Sequence, residues 1–490
     1  MKAENKKAIF ILITILFLAS FFRLFQLGQK SLWLDEAFSI NLSSHSLKTI
    51  IQGEKNNPPL YHFLLHYWIK IFGKSEASTR LMSAIFSILT IFAIYKLGSE
   101  LFNSKIAILS SFLLAICPFH IHYSQEARMY SLVVLLTILS CYFFIKFLKE
   151  SKKMALFLYF LFSLAAIYTH YFAFFIIAAQ NIFIITQKNV YKNQLAYWFL
   201  CQFLLFLFYL PWIWSLIQAI EGGKEKYLSH LYLRIPYTLL VFNLGYSGII
   251  INMYAKQHLL QTILNHWFLI LAVIVFIIPL FLLGLKTIWQ KEHCWKIFIL
   301  LYFFLPFILA LLISIKIPLL AERYFIVTLP AYYLILSAGI LSLRTLKTKA
   351  IFLSGILFLT AFSLKNYYFN PKFGKGAWRD VAKYIETYSQ KNDAITFYPK
   401  HIAVAFNYYY KGNLEKFGVS SLAEIKNYKT NPYKRIWFII SHAPKFNYEA
   451  VLAKDYNILE KKIFPISNGI HVFLLALSES NTKKSTINHY

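Results

Sequence analysis

The 490 residues are 58% hydrophobic and 19% aromatic with only 14% charged, a balance that excludes an ordinary soluble globular domain. The formal charge of +29, from 50 Lys and Arg against 21 Asp and Glu, would point to nucleic acid only if the basic residues lay on a soluble face. Cys117, Cys141, Cys201 and Cys294 sit in or beside apolar runs with no paired spacing, so neither a disulfide framework nor a zinc knuckle is supported and all four read as packing residues.

Apolar runs long enough, or nearly so, to cross a hydrocarbon core of roughly 30 Å recur through residue 366. There are eleven: 8–27, 79–98, 106–120, 129–148, 154–171, 172–187, 195–214, 266–285, 296–315, 324–343 and 350–366. The first has no small-residue cleavage site after it, and its "FFRLFQLG" end runs into a polar loop, so it reads as a retained helix rather than a signal peptide. With "MKAENKK" on the cytoplasmic side, the inside segments are "KLGSELFNSK", "KFLKESKK", "QKNVYKN", "KTIWQKEHCWK" and "RTLKTK". Together with the N-terminus they hold 17 Lys and Arg against 4 Asp and Glu, as the positive-inside rule requires. Much of the +29 is therefore topological, and no nucleic acid partner is needed to explain it.

This orientation puts the loops 28–78, 118–128, 169–172, 215–265 and 316–324 on the outer face, where nearly every unusual polar residue falls. After residue 366 the hydropathy drops. "GKGAWRDVAKYIETYSQKNDAITFYPK" reads as a helix followed by a strand, and "RIWFIISHA" and "HVFLLAL" as further strands. The expected architecture is a polytopic α-helical membrane protein, a transmembrane domain over 1–370, with a small extracytoplasmic α/β domain over 371–490.

In the first outer loop, "SLWLDEAFSI" places Asp35 and Glu36 side by side just after the first span. A partly desolvated carboxylate at interfacial depth is a suitable general base for an incoming hydroxyl or amide. The pair can equally solvate a loop or cap a short helix. In "NNPPLYHFLLHYWIK", Pro58 and Pro59 precede an aromatic amphipathic helix on which His62 and His66 lie one turn apart, a spacing that suits a metal or the headgroup region. "HIHYSQEARMYSL" brings Glu126, Arg128 and Tyr130 to the start of a span, and "LLAERYFIVTLP" does the same with Glu322, Arg323 and Tyr324. Helix starts with an arginine favour a phosphate, and each Glu and Arg can instead form a structural ion pair. His170 in "YTHYF" sits at a hairpin between two spans and, taken alone, reads as structural.

These motifs together resemble the GT-C membrane glycosyltransferases, in particular the family of protein O-mannosyltransferases and lipid A aminoarabinose transferases. "LWLDEAFS", "NPPLYHFLLHYW", "YSQEARMYSL", "YTHYF" and "ERYFIVTLPAYY" carry the resemblance, with "WRDVAKYI" opening the C-terminal domain; it covers residues 1 to about 345 and is weaker beyond. The resemblance implies a polyprenyl-phosphate sugar donor, Asp35 as catalytic base with Glu36 as its partner, and Arg128 and Arg323 near the lipid phosphate. It implies a lipid, glycan or protein acceptor, a location in the cytoplasmic membrane, and displacement with inversion at the anomeric carbon. The proline motif often begins with His in relatives and here begins with Asn57. The donor and substrate candidates are Glu126, Arg128, Tyr130, His170, Glu322, Arg323, Tyr324 and His62; no metal ligand is assigned, and a divalent cation is a cofactor the reading admits. The alternative class is a polytopic transporter or a lipid-linked sugar flippase, which would build its site from broken helices near the midplane, often with an internal repeat; neither is visible. An O-antigen ligase or polymerase would not be expected to combine Asp-Glu in the first loop with a Pro-Pro helix.

Overall fold

The computed structural model describes residues 2–53, 57–222, 231–248, 263–291, 294–317, 319–421, 424, 433–443, 447–464 and 469–477. Every one of the eleven apolar runs contains a helix. Among the described residues, eight helices are long and apolar enough to cross a membrane, and Ser104–Ile116 with Pro118–Ser124, bent by 61°, makes a ninth if the pair is one span. Lys153–Ile167 and Ala173–Thr186 are apolar but shorter. The chain is a multi-pass membrane protein; among the described residues eight or nine helices meet this length and composition test, against the eleven spans expected.

The bend has a local cause. Pro118 lacks an N–H and breaks the ladder, and in an apolar medium the freed carbonyls need partners. Arg23, fully buried, supplies them: its Nη1 donates to Ala115 O at 2.8 Å, its Nη2 to Leu114 O at 3.4 Å and its Nε to Ser87 Oγ at 2.6 Å. Elsewhere Ile278–Trp289 and Leu329–Ser342 pack at backbone contact. A Cβ on Gly284 would lie 2.0 Å from Ile335 O and one on Gly339 1.9 Å from Leu280 O, so only glycine fits at either crossing point.

The stretch 215–265, expected as one long outer loop, is largely helical where it is described. Leu195–Gly222 continues eight residues past the expected span end at 214, and Leu231–Gly248 is a further helix that packs on Pro118–Ser124 and Leu346–Phe369. The parts 223–230 and 249–262 of that expected loop lie outside the described residues, as do 54–56 before the Pro-Pro motif.

The chain forms two compact units. One is Met1–Leu27 with Leu42–Phe369, the other Gly28–Asn41 with Asn370–Tyr490. The first-loop segment carrying Asp35 and Glu36, which a division at residue 370 would leave with the helices, thus groups with the C-terminal region. The second unit is built on a five-stranded sheet of β1 (Asp393–Tyr398), β2 (Glu415–Gly418), β3 (Arg435–Ile440), β4 (Tyr456–Phe464) and β5 (Ile470–Leu477), in the order β2-β1-β3-β5-β4. Strand β1 is parallel to β2 and β3, and β5 is antiparallel to β3 and β4. Helix Trp378–Tyr388 buries Trp378, Val381, Ala382 and Ile385, the 3.6-residue stripe of its sequence.

The sequence reading contains this helix and β1, β3 and β5, and omits β2 and β4. The first of these is four residues long. The second lies at the sheet edge, and its Glu460, Lys461 and Lys462 face solvent, as suits an edge that must not pair further. Asp393 locks the start of β1 to β3. It accepts from Arg435 Nε at 2.9 Å and Nη2 at 2.7 Å, from Trp437 Nε1 at 2.9 Å and from Gln390 N at 2.8 Å.

Candidate active site

The carboxylate pair opens helix Leu34–Ser43, where negative charge meets the helix N-terminus. Glu36 Oε2 accepts the Trp33 N–H at 3.3 Å, so the capping role is present. The solvated-loop role is not: Glu36 is fully buried, and its Oε1 lies 3.7 Å from Lys375 Nζ, itself 4% exposed. Asp35 is half-buried. The segment is held at three further points. Arg379 donates from Nη1 to Gln29 O at 3.0 Å and from Nη2 to Gly28 O at 3.3 Å; Ser31 Oγ accepts the Arg379 N–H at 3.3 Å; and Tyr409 Oη accepts the Leu32 N–H at 2.7 Å. Lys375, Arg379 and Tyr409 are absent from the sequence candidates. The one local signal was a lysine between two glycines in "FGKGAW", directly before an amphipathic helix.

Within the helical unit, the two Glu-Arg-Tyr motifs meet around His170. Arg128 and Tyr130 come from the start of helix Tyr130–Glu150, and Arg323 and Tyr324 from the 3₁₀ turn Glu322–Thr328 that leads into Leu329–Ser342. His170 occupies the turn between Lys153–Ile167 and Ala173–Thr186. Its ring lies 5.2 Å from that of Tyr324 and 6.0 Å from that of Tyr130, and the Arg323 guanidinium sits 5.5 Å from the Tyr324 ring centre. Burial, with Arg128 and Arg323 adding in that order, pushes the His170 imidazole down to about 3. It is therefore neutral at physiological pH. Its Nδ1 accepts the Phe172 N–H at 3.1 Å, which leaves the ring proton on Nε2. A histidine that read as a lone structural residue is thus the point at which both arginines act.

Glu126 is fully buried, with Oε2 3.8 Å from His122 Nε2, and its carbonyl accepts the Arg128 N–H at 2.7 Å. Glu322 lies in the field of Arg234 and Arg323. Arg234, on Leu231–Gly248, donates to Leu320 O at 3.2 Å and was missed because its segment read as a loop. His62 and His66 do lie on a helix, Leu60–Phe72, but both are buried rather than at a headgroup surface. His62 Nδ1 is 3.2 Å from Ser43 Oγ, and His66 Nδ1 donates to Ser43 O at 2.8 Å, so both rings brace the end of helix Leu34–Ser43. Among the described residues no group of three or more His, Cys, Asp or Glu is arranged to hold a metal ion.

The fold is that of the GT-C membrane glycosyltransferases. ArnT from Cupriavidus metallidurans bound to undecaprenyl phosphate superposes with a TM-score of 0.59 over 95% of this chain and 97% of that one, at 11% identity. The oligosaccharyltransferase of Archaeoglobus fulgidus in complex with Zn and sulfate gives 0.55 over 96% of this chain and 73% of that one, at 12% identity. The same organism's AglB, in complex with an inhibitory peptide and a dolichol-phosphate, gives 0.55 over 89% and 70%, at 10% identity. In sequence, residues 56–214 match the dolichyl-phosphate-mannose-protein mannosyltransferase family, a stretch that includes Arg128 and His170 and leaves out Asp35 and Arg323. No curated protein matches the chain in sequence.

Proposed function

We propose that the protein transfers a sugar from a polyprenyl-phosphate carrier to a hydroxyl- or amine-bearing acceptor. What carries this reading is the grouping of Tyr130, Tyr324 and Arg323 about the buried His170 ring, with Arg128 also in its field. Buried ionisable groups with a perturbed pKa collect at functional sites. A phosphate between the two guanidiniums would gain charge-assisted, two-pronged hydrogen bonds from each. The neutral His170 adds an Nε2–H donor without adding charge. Tyr130, which is buried, and Tyr324, which is half-buried, flank the position. ArnT in its undecaprenyl phosphate complex and AglB in its dolichol-phosphate complex supply the class of lipid to test.

In the reaction, Asp35 takes the proton of the acceptor, whose oxygen or nitrogen attacks the anomeric carbon as the bond to the carrier phosphate breaks. The electron pair leaves with that phosphate, which the arginines stabilise. One displacement inverts the anomeric configuration. Glu36, neutralised by Lys375, holds the turn that presents Asp35. The active face is extracytoplasmic: the basic loops alternate with the spans so as to place the N-terminus inside, and an alkaline phosphatase fused after residue 490 is expected to be active.

The direct test incubates the purified protein with radiolabelled polyprenyl-phosphate sugars. Release of labelled sugar from the lipid phase, to water or to an acceptor, supports the reading. Transbilayer movement of intact labelled lipid in proteoliposomes, without cleavage, would establish the flippase instead.

A further inference from the structure

The C-terminal unit has a feature that the proposed chemistry does not use. In its sheet the chain passes from β1 to β2 on one side and returns to β3 on the other. The connections after β1 and β3 therefore lead to opposite sides, which makes the carboxyl ends of these two parallel strands a topological switch point, the position at which open α/β sheets hold ligands in a crevice. Two histidines stand there. His401 follows β1 in the turn Lys400–Ile402, and His442 follows β3 by two residues. The register pairs Tyr398 with Ile440, and Tyr398 O accepts the Ser441 N–H at 3.3 Å, so the two loops start side by side.

His442 is held in an unusual way. Its φ is +56°, a left-handed conformation that costs a residue with a Cβ about 1–2 kcal/mol and that collects at functional sites. The Ser441 hydroxyl donates to Gly469 O at 3.1 Å and lies 3.0 Å from His442 Nδ1. Having spent its hydrogen on Gly469, Ser441 Oγ must accept from Nδ1–H, so the neutral ring carries its lone pair on Nε2. Desolvation lowers the imidazole from the ordinary histidine range, Asp35 counteracts this and His401 adds to it. The ring is neutral at pH 7 and has both Asp35 and His401 as neighbours.

We infer that the crevice at the carboxyl ends of β1 and β3, lined by His401 and His442 beside Asp35, is the subsite that binds the acceptor, and that the acceptor is a neutral polyhydroxyl compound of the sugar type. An Nε2 lone pair accepts a hydroxyl hydrogen, a second neutral imidazole can donate or accept, and Asp35 disfavours an anion. The inference rests on the proposed transferase reading and gives it an acceptor class: one acceptor hydroxyl loses its proton to Asp35 and gains the anomeric carbon, while neighbouring hydroxyls are held by the histidines.

The test uses the full-length protein in detergent, the radiolabelled polyprenyl-phosphate sugar it cleaves best, and a panel of methyl glycosides as acceptors, with hydrolysis of the donor by water measured in parallel. His401→Ala and His442→Asn are each expected to raise the acceptor KM about tenfold or more while donor hydrolysis stays within twofold. Asn keeps the left-handed backbone tolerable, so the second variant removes the ring without forcing the loop to refold; His442→Gln, whose longer side chain can carry its amide oxygen closer to where Nε2 stood, is expected to recover part of the loss. Acceptor KM values within twofold of wild type in both variants would overturn the inference, as would a wild-type protein that transfers to none of the glycosides, or transfer and hydrolysis falling in parallel. A failure confined to these variants, with Asp35→Asn still abolishing transfer and hydrolysis, leaves the transferase reading intact. An Asp35→Asn protein as active as wild type overturns that reading first.

Discussion

Lys375 Nζ lies 3.7 Å from Glu36 Oε1, with the two side chains 4% and 0% exposed. A residue of the C-terminal region thus neutralises a first-loop carboxylate next to Asp35, and both belong to one compact unit. The turn that carries the proposed base is accordingly an element of the C-terminal unit, held by Lys375, Arg379 and Tyr409.

Removing one partner of a buried ion pair strands the other, at a cost of about 3–5 kcal/mol. Lys375→Met is therefore expected to lower the thermal unfolding midpoint of the detergent-solubilised protein and to depress turnover. Glu36→Gln combined with Lys375→Met should recover much of the stability, because neither charge is then left alone. A double variant no more stable than Lys375→Met would show that the lysine acts through other contacts.

Arg128 and Arg323 are expected to set donor affinity. Arg→Lys keeps the charge and loses the planar fork, so each Lys variant should bind polyprenyl phosphate more weakly than wild type and more tightly than the corresponding Ala variant. Titration of the purified variants with the lipid phosphate measures this order. Wild-type affinity in both Ala variants would assign the arginines to structural pairs with Glu126 and Glu322.

His170 makes the helical unit sensitive to acid. Its folded value near 3 lies below the roughly 6.5 of an exposed histidine, so between these values the unfolded chain binds more protons. The stability contributed by the neutral ring is complete above about pH 6.5 and falls as the pH drops toward 3. Unfolding midpoints of wild type and His170→Gln across this range should converge as pH decreases, with the wild type showing the steeper loss.

At Asp393, burial pushes the carboxyl up, but the Arg435 fork, the Gln390 N–H and Trp437 outweigh it and leave the group below its ordinary range. Its contribution is present above that ordinary range and is lost as pH falls through the lowered value. Asp393→Asn at pH 7 removes a charge-assisted set worth about 1.5–3 kcal/mol and is expected to destabilise the C-terminal unit, measured by limited proteolysis within 370–490, while leaving the helical unit unaffected.

The two levels of structure differed in how much the chain revealed. Apolar runs show themselves because a lipid-facing helix is apolar all round, and every expected run holds a helix. Leu231–Gly248 escaped because it packs against protein: Val241, Phe242 and Leu244 are buried while Arg234, Asn243 and Ser247 are buried with them, which dilutes its hydropathy. Asp35, Arg128 and Arg323 could be picked out from local motifs. What surrounds them could not. The pairing of Glu36 with Lys375 links residues far apart in sequence, and the neutrality of His170 comes from two arginines on different elements. Such groupings depend on tertiary contacts that no periodicity encodes. The histidines of the β1–β3 crevice were invisible for the same reason, since the switch point exists only once the strand order is known.

The most direct measurement is the single-turnover rate of Asp35→Asn with a saturating radiolabelled polyprenyl-phosphate sugar. A positioned general base contributes roughly 10² to 10⁴-fold, and Asn keeps the shape of the side chain while removing its proton acceptor. Sugar transfer is expected to fall by about that factor, with donor affinity and unfolding midpoint unchanged and with Glu36→Gln milder. A rate within a few fold of wild type would contradict the assignment of Asp35 as the base, and a larger loss in Glu36→Gln than in Asp35→Asn would move that role to Glu36.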